Sequence, residues 1–305
     1  MAQIVISGLI NIETTVQIER FPVEYCPVRY PFFGVGTTVS GVGYNLASAF
    51  SRLGDNVRLV SFLGNDLPGN VARASLKNIG FDDRYIVSTD SETPQSVILY
   101  NTEGKRQINV DLKDIQQRDI PDEHFEKSLS GAELAVMCNI NFSRRHLEKV
   151  RQSGIMIASD VHAISSLEDS YNMDFMRYSD ILFCSDESLS VTPEEWSEKV
   201  IQAFGKKIVV VGMGSKGAFI KDANQNTSAR LPAVDTRPIV NTIGAGDSLF
   251  SSFLHYFVKT RDSLASLKKA IIFASWKIGE KGAAKGFLSE KELEELELRL
   301  HSARA

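Results

Sequence analysis

The stretch Asn241-Thr242-Ile243-Gly244-Ala245-Gly246-Asp247 stands directly before an apolar run with helical spacing, at residues 248–254. Small residues at a helix start allow backbone N–H groups to approach an anion closely, and the helix dipole favours negative charge there. Asp247 has two interpretations at this place. It is either an ordinary acid of a first helical turn, or a base that accepts the proton of a hydroxyl attacking a phosphate.

The composition of the whole chain is that of an ordinary globular protein, since 43% of its 305 residues are hydrophobic and 24% are charged. The net charge of −4 does not indicate a nucleic-acid-binding surface. Cys26, Cys138 and Cys184 lie far apart, without metal-ligand spacing or a disulfide pattern, and predict buried thiols in a reducing cytosol. Because the sequence shows no signal-peptide pattern and no membrane-length apolar run, we expect a cytoplasmic protein that does not contact a membrane.

Strand-like and helix-like segments alternate along most of the chain, which is typical of an α/β sheet. Residues 208–211, Ile-Val-Val-Val, form the most uniformly β-branched segment and are therefore predicted to be a central strand. No linker or repeat interrupts the pattern, so we predict a single domain over residues 1–305. Short apolar runs predict buried strands at residues 4–6, 57–63, 134–138, 155–160 and 181–184.

Two segments lack the helices that separate the other strands. Residues 16–33 contain three prolines and scattered aromatic side chains without a helical period. Residues 96–110 have the pattern of a β-hairpin with a glycine-bearing turn at 101–104. We predict that the two segments, at about 12–38 and 93–111, pair as a small accessory sheet that forms a lid.

Five motifs, in order along the chain, resemble those of the ribokinase-like, PfkB-type carbohydrate kinases. Residues 241–247 resemble the signature Asp-Thr-x-Gly-Ala-Gly-Asp, and residues 41–47 resemble Gly-Gly-x-x-x-Asn-x-Ala. Residues 64–69 resemble Gly-x-Asp-x-x-Gly, residues 212–217 the nucleotide-side turn, and residues 281–284 the late Gly-Ala-Ala loop. The resemblance extends from about residue 4 to residue 288, nearly the whole chain.

The resemblance implies a Rossmann-like three-layer α/β sandwich with a mostly parallel sheet and a β lid. It also implies transfer of the γ-phosphoryl group of MgATP to a primary hydroxyl of a sugar. Asp247 would be the general base, with Gly244, Ala245 and Gly246 forming the anion hole. The implied sugar-binding residues are Asn11, Glu13, Gly41, Gly43 and Asn45. The implied nucleotide-binding residues are Ser185, Glu187, Gly212, Gly214, Ser215, Gly217, Thr242, Gly282 and Ala283.

Several positions depart from the family pattern. Asn241 replaces an Asp, and Ile243 an often polar residue, at positions that help hold a monovalent cation in family members, so potassium dependence is not implied. Ser40 stands where the first glycine of a pair is usual, which would stiffen the lid hinge. Ser185-Asp186-Glu187-Ser188 replaces the Asn-x-x-Glu motif that is linked to magnesium, so Asp186 or Glu187 would act on Mg²⁺ through water or else cap a helix.

Two other functions remain compatible with these residues. A nucleoside kinase on the same scaffold could stack a base on aromatic residues of the segment at 16–33, which we call the flap. These residues, Phe21, Tyr25, Tyr30, Phe32 and Phe33, could equally pack the lid or a dimer contact. A non-catalytic sugar- or nucleotide-binding regulator is suggested by Asn241 and by the altered Asn-x-x-Glu segment. The lid strands also suggest a homodimer.

Overall fold

The computed structural model describes residues 1–205 and 207–302. Within these residues, thirteen strands form a nine-stranded central sheet and a separate four-stranded sheet. The strands are β1 (Gln3–Ser7), β2 (Asn11–Gln17), β3 (Val35–Ser40), β4 (Asn56–Gly64), β5 (Ile86–Thr89), β6 (Gln95–Tyr100), β7 (Arg106–Asp111), β8 (Leu134–Met137), β9 (Met156–Ala163), β10 (Ile181–Ser185), β11 (Ile208–Gly212), β12 (Ala218–Asp222) and β13 (Thr227–Leu231).

The central sheet has the order β13-β12-β11-β10-β9-β8-β1-β4-β5. All pairings from β11 to β5 are parallel, whereas β12 is antiparallel to both of its neighbours. The predicted parallel α/β sheet is thus confirmed. The prediction that residues 208–211 form a central strand needs correction, because β11 is the last parallel strand and only the antiparallel pair β12–β13 lies beyond it.

Helices cover both faces of the sheet, which gives three layers. Adjacent residues of β1 show why: Ile4 and Ile6 join one apolar cluster, while Val5 joins the other. The helices are α1 (Val42–Leu53), α2 (Leu67–Asn78), α3 (Asp122–Leu129), α4 (Asn141–Arg144), α5 (Leu147–Ser153), α6 (Met173–Tyr178), α7 (Pro193–Phe204), α8 (Ala245–Thr260), α9 (Ser263–Lys277) and α10 (Glu290–Ser302). The first cluster contains residues of α1, α2, α8 and α9, and the second contains residues of α3 to α7.

The four-stranded sheet is built from the two segments that were predicted to pair. Its order is β3-β2-β6-β7, and β2 pairs in parallel with β6, which joins the early segment to the hairpin. Glu13 of β2 lies opposite Ser96 of β6, and Ser96 lies opposite Val110 of β7, so these side chains share one face. Ile98 is on that same face and packs against Ile243 and Ala283. We call this sheet the lid, and this face its inner face.

The helices of the described residues include none that combines the length and the apolar character needed to cross a bilayer.

Candidate functional site

The candidate site lies where α1 and α8 begin, at the edge of the sheet formed by the carboxyl ends of the parallel strands. A Cβ on Gly43 would come within 2.6 Å of the Gly8 carbonyl carbon, so the start of α1 rests directly on the chain that leaves β1. Gly41 precedes α1 with φ +101°, and a Cβ there would meet the Leu9 carbonyl oxygen at 2.5 Å. Both glycines therefore allow a backbone approach that a side chain would prevent.

Asp247 lies in the first turn of α8, as its sequence position predicted. Asn45, buried on α1, donates from Nδ2 to the Asp247 carboxylate, Oδ2, over 2.7 Å. Burial raises the pKa of the Asp247 carboxyl group above its usual value, while the Asn45 hydrogen bond and the charges of His162 and Lys277 partly oppose this rise. The starts of two helices thus place this carboxylate in a fixed orientation.

A chain of polar groups continues from Asn45 to the lid. The Ser40 hydroxyl lies 3.3 Å from Oδ1 of Asn45 and 2.9 Å from Oε2 of Glu13, to which it can donate. Glu13 and Ser40 are both buried. Burial also raises the pKa of Glu13, with the Ser40 hydrogen bond and the Lys277 charge acting in the opposite direction. The site therefore holds two carboxylates, Glu13 and Asp247, connected through Ser40 and Asn45.

Two buried oxygen atoms of this site have no hydrogen-bond partner among the described residues: Oδ1 of Asn11 and Oε1 of Glu13. The amide nitrogen of Asn11 is held in place by the Ser96 hydroxyl at 3.0 Å. Buried polar atoms without partners are rare in proteins and are costly to the fold. These two acceptors are consequently suited to donors of a bound molecule, such as hydroxyl groups.

The anion cradle consists of Gly244, Ala245 and Gly246. Gly244 has φ +75°, and a Cβ on it would meet the Ala283 carbonyl oxygen at 2.7 Å, so only glycine fits where the two loops touch. A Cβ on Gly246, by contrast, would find no atom within 4 Å. The space next to this helix start is open, which is what a cradle of backbone N–H groups requires.

A cleft of about 550 Å³ lies beside the cradle and is lined by residues of the lid hairpin together with Phe21, Glu187 and Thr242. Arg106 of the lid closes one side of it, donating from Nη1 to both the carbonyl oxygen and Oγ1 of Thr242 at 3.1 Å. The lid is therefore in direct contact with the loop that precedes α8.

The predicted nucleotide-side residues lie along the same edge of the sheet. Ser185 ends β10 opposite Gly212 at the end of β11, and Gly214 and Ser215 follow in an exposed 3-10 turn that Gly217 ends. A Cβ on Gly217 would come within 2.0 Å of the Leu231 carbonyl oxygen, so this glycine serves the packing of the turn. Of the predicted nucleotide-binding residues, Gly282 and Ala283 lie next to the cradle. Gly214 and Ser215 lie in a separate turn, and within the described residues neither forms a hydrogen bond to Asp247.

A family profile described as pfkB family carbohydrate kinase matches residues 1–290. The chain belongs to the pfkB family of carbohydrate kinases. A deoxyribokinase of Salmonella typhi is 23% identical over 96% of this chain and 97% of its own length. The family assignment makes this protein a kinase of the sugar and nucleoside class.

Solved structures of other kinases share the fold of this carbohydrate kinase. A microbiome-derived acarbose kinase superposes with a TM-score of 0.86, with 22% identity and coverage of 97% of this chain and 98% of its own. The ribokinase of Arabidopsis thaliana, solved with ribose and ATP, gives a TM-score of 0.78 with 22% identity, and covers 97% of this chain and 99% of its own. The predicted ribokinase-like fold is confirmed.

The described residues of this kinase contain no group of three or more His, Cys, Asp or Glu side chains placed to hold a metal ion. Magnesium in kinases is bound by one or two carboxylates together with substrate phosphates, so such a group is not required. Glu187 lines the cleft, and Asp186 precedes it in a 3-10 turn at the end of β10. Asp186 and Glu187 therefore stay the predicted carboxylates for a magnesium ion.

Three ionisable residues near Asp247 were not predicted from the sequence. Lys277 ends α9 fully buried, and His162 and Asp160 at the end of β9 lie close enough to influence the Asp247 charge. The sequence assigns no role to residues 160–162, and a lysine in the last turn of a helix commonly interacts with the helix dipole. The contact of Arg106 with Thr242 was not predicted either, and the only signal for it in the sequence is the position of Arg106 just after the hairpin turn.

The open space at Gly246 leads to a prediction that separates activity from stability. Inside a helix, alanine is more favourable than glycine by about 0.5–1 kcal/mol, so we expect Gly246→Ala to hold or raise the free energy of unfolding. The added methyl group would displace an anion from the cradle, and we expect kcat/KM for the nucleotide to fall by about tenfold or more, as misplacement at a reacting centre does.

Thermal unfolding and steady-state kinetics would measure both effects. The matched variant is Gly43→Ala, whose Cβ would collide with the Gly8 backbone and should lower stability and activity together. A Gly246→Ala enzyme that is as active as the wild type would show that no anion lies against this helix start.

Proposed function

We propose that this protein transfers the γ-phosphoryl group of ATP to a primary hydroxyl of a small sugar, with Asp247 as general base. The observation that carries the proposal is the polar chain from Glu13 through Ser40 and Asn45 to Asp247. It connects buried acceptors suited to sugar hydroxyls with a carboxylate that lies at the foot of an open anion cradle. A sugar bound by the acceptors of Asn11 and Glu13 would present a hydroxyl to the Asp247 carboxylate.

In the proposed reaction, Asp247 accepts the proton of the attacking hydroxyl as its oxygen forms a bond to the γ-phosphorus. The bond between that phosphorus and the β–γ bridging oxygen breaks, and ADP leaves with the electron pair. Burial raises the pKa of Asp247, which makes its carboxylate a stronger base than that of an exposed aspartate. The backbone N–H groups of Ala245, Gly246 and Asp247 would stabilise charge on the transferred group.

The remaining predicted residues have supporting parts in the proposal. Ser185, Gly212, Gly214, Ser215, Gly217, Thr242, Gly282 and Ala283 would surround the nucleotide. Asp186 and Glu187 would hold Mg²⁺ through water, and the ion would supply neutralising charge to the phosphates. Contact between the lid and Thr242 through Arg106 would exclude water from the reacting groups.

The flap gives little support to the alternative of a nucleoside kinase. Tyr25, Phe32 and Phe33 expose 92%, 83% and 99% of their surface, so these rings do not line a base pocket. Phe21 is the aromatic residue that lines the cleft. Glu13 and Asn11, by contrast, offer two acceptors to a polyhydroxylated molecule. The proposal therefore favours a free sugar.

Coupled measurement of ADP release over a panel of pentoses, hexoses, deoxysugars and nucleosides tests this choice. We expect turnover with at least one free sugar, at a kcat/KM well above that for any nucleoside. Preference for a nucleoside would replace the sugar kinase with the nucleoside kinase. Ligand-induced thermal stabilisation without ADP production over the whole panel would favour the non-catalytic regulator.

We also propose a cytoplasmic location and a homodimer that forms through the lid. Free thiols at Cys26, Cys138 and Cys184 support a reducing compartment. Cys138 and Cys184 are buried as predicted, whereas Cys26 is exposed, so the prediction of a buried thiol is wrong at that position. The dimer is supported by β7, which is an edge strand of the lid sheet.

A further inference from the structure

Lys277 is a buried ammonium group that binds two main-chain carbonyl groups. Its side chain is fully buried, and Nζ donates to the carbonyl oxygen of Gly282 at 2.7 Å and also to that of Ile243. The carboxylates of Asp247, Glu13 and Glu280 act on this nitrogen through their charge, and within the described residues none of the three forms a hydrogen bond with it. The charge is therefore surrounded by carbonyl dipoles in place of the usual acidic partner.

The two carbonyl groups belong to different loops, and both loops build the candidate site. Ile243 directly precedes Gly244 of the cradle, whereas Gly282 follows α9. The close approach of Gly244 to the Ala283 carbonyl oxygen shows that the loops touch here. Ile98 of the lid packs against both Ile243 and Ala283. The ammonium group thus joins the cradle loop, the late loop and the floor of the lid.

A buried charge of this kind destabilises the fold unless its surroundings compensate for lost hydration. Burial lowers the pKa of Lys277 to about 8, although Asp247 and Glu13 attract the positive charge. A methionine would fill similar space without this desolvation cost. Packing alone therefore does not explain a lysine here, which indicates a role of its positive charge near the carboxylates of Asp247 and Glu13.

Carbonyl oxygens from separate loops, pointing at one position, are the ligands that proteins use for potassium. We propose that the Lys277 ammonium group is a resident cation that holds the Ile243 and Gly282 loops in the positions that form the anion cradle. This proposal rests on the proposed kinase function. The kinase then requires no monovalent cation from solution. Lys277 is a positioning residue, since it acts through the loops and through the charge of Asp247.

Chemical rescue tests this inference. Lys277→Ala removes the ammonium group and leaves space for an ion, whereas Lys277→Met removes the charge but fills the space. We expect the wild type to be equally active in sodium, potassium and tetramethylammonium chloride at one ionic strength. We expect kcat of Lys277→Ala to fall by about tenfold or more, because a small displacement of the cradle misplaces the reacting groups. Potassium, ammonium or methylammonium chloride should restore kcat severalfold. Lys277→Met should stay at its low activity in every salt.

The control is Lys207, the other fully buried lysine of the described chain, whose Nζ donates to the Met176 carbonyl oxygen. Lys207→Ala should lose stability without acquiring dependence on potassium or ammonium. Potassium dependence of the wild type, normal activity of Lys277→Ala, or absence of rescue would each overturn the resident-cation proposal.

A measurement without turnover separates this proposal from the kinase function. Potassium should raise the Tm of Lys277→Ala relative to sodium, because an ion that binds only the folded state stabilises it, and should leave the wild type and Lys207→Ala unchanged. If no sugar or nucleoside is phosphorylated and this selective stabilisation is seen, the kinase function fails and the resident cation stands. If turnover is seen without selective stabilisation or rescue, the kinase function stands and the resident-cation proposal fails.

The pH profile gives a further signature. The Lys277 charge faces the carboxylates of Asp247, Glu13 and Glu280 and the guanidinium group of Arg106. Since its folded pKa is about 8, the ammonium group keeps its proton below that pH and loses it above. We expect wild-type kcat to fall as the pH rises through this value. The same alkaline fall should be absent in Lys277→Ala assayed with potassium, because the metal ion does not titrate.

Discussion

Replacing Asp247 with asparagine should lower kcat by about 10²–10⁴-fold, the contribution typical of a general base. Asparagine has nearly the same size, and its side-chain oxygen can still accept the hydrogen bond from Nδ2 of Asn45. It cannot accept the proton of the substrate hydroxyl. The carboxylate does not form the cradle, so nucleotide binding should change little. Coupled ADP release and calorimetric titration with ADP would measure the two properties separately.

The matched control is Asp262, which caps the next helix, α9, by accepting from the Ala265 amide at 2.8 Å. Asp262→Asn makes the same chemical change at a helix start outside the site. It should retain wild-type turnover and nearly wild-type stability. If Asp247→Asn also turns over like the wild type, Asp247 is only an acid of a first helical turn, and the assignment of the base fails.

The parts of the site that sequence predicts well are local in the chain. The small residues at 244–246 and the acid at 247 stand next to each other, and so do Gly41, Gly43 and Asn45, and each group acts within one loop and the first turn of one helix. Glycine at a positive φ or at a close backbone contact leaves a direct mark in the sequence. These features therefore need no knowledge of the distant chain.

The interactions that sequence did not predict depend on contacts between distant segments. Lys277 acquires its environment only because the loops at Ile243 and Gly282 meet around it. Ser40 was expected to stiffen the lid hinge, and that expectation remains a prediction. Its hydroxyl also lies between Glu13 and Asn45, 27 and 5 residues away along the chain. The antiparallel strands β12 and β13 went unpredicted as well: each is only five residues long, and β13 alternates between exposed and partly buried residues whereas β12 is mostly buried.

Replacing Glu13 with glutamine should produce the second largest loss, and mainly in sugar recognition. Glutamine keeps the shape but exchanges one acceptor oxygen for a donor and removes the charge. Hydrogen bonds to charged groups contribute about 1.5–3 kcal/mol, which corresponds to about 10–100-fold in kcat/KM for the sugar. Because Glu13 lies on the inner face of the lid and not at the cradle, KM for ATP should remain close to that of the wild type.

The pH dependence makes the Glu13 prediction specific. Since burial raises the pKa of Glu13, lowering the pH protonates it earlier than an exposed glutamate and should raise the wild-type KM for the sugar. Glu13→Gln should lose this dependence, since its amide does not titrate. Glu24→Gln, at an exposed acid paired with Arg20 in the flap, serves as the control and should behave like the wild type. An unchanged sugar KM in Glu13→Gln, with an unchanged pH profile, would remove Glu13 from the sugar site and leave Asn11 as the acceptor to be tested there.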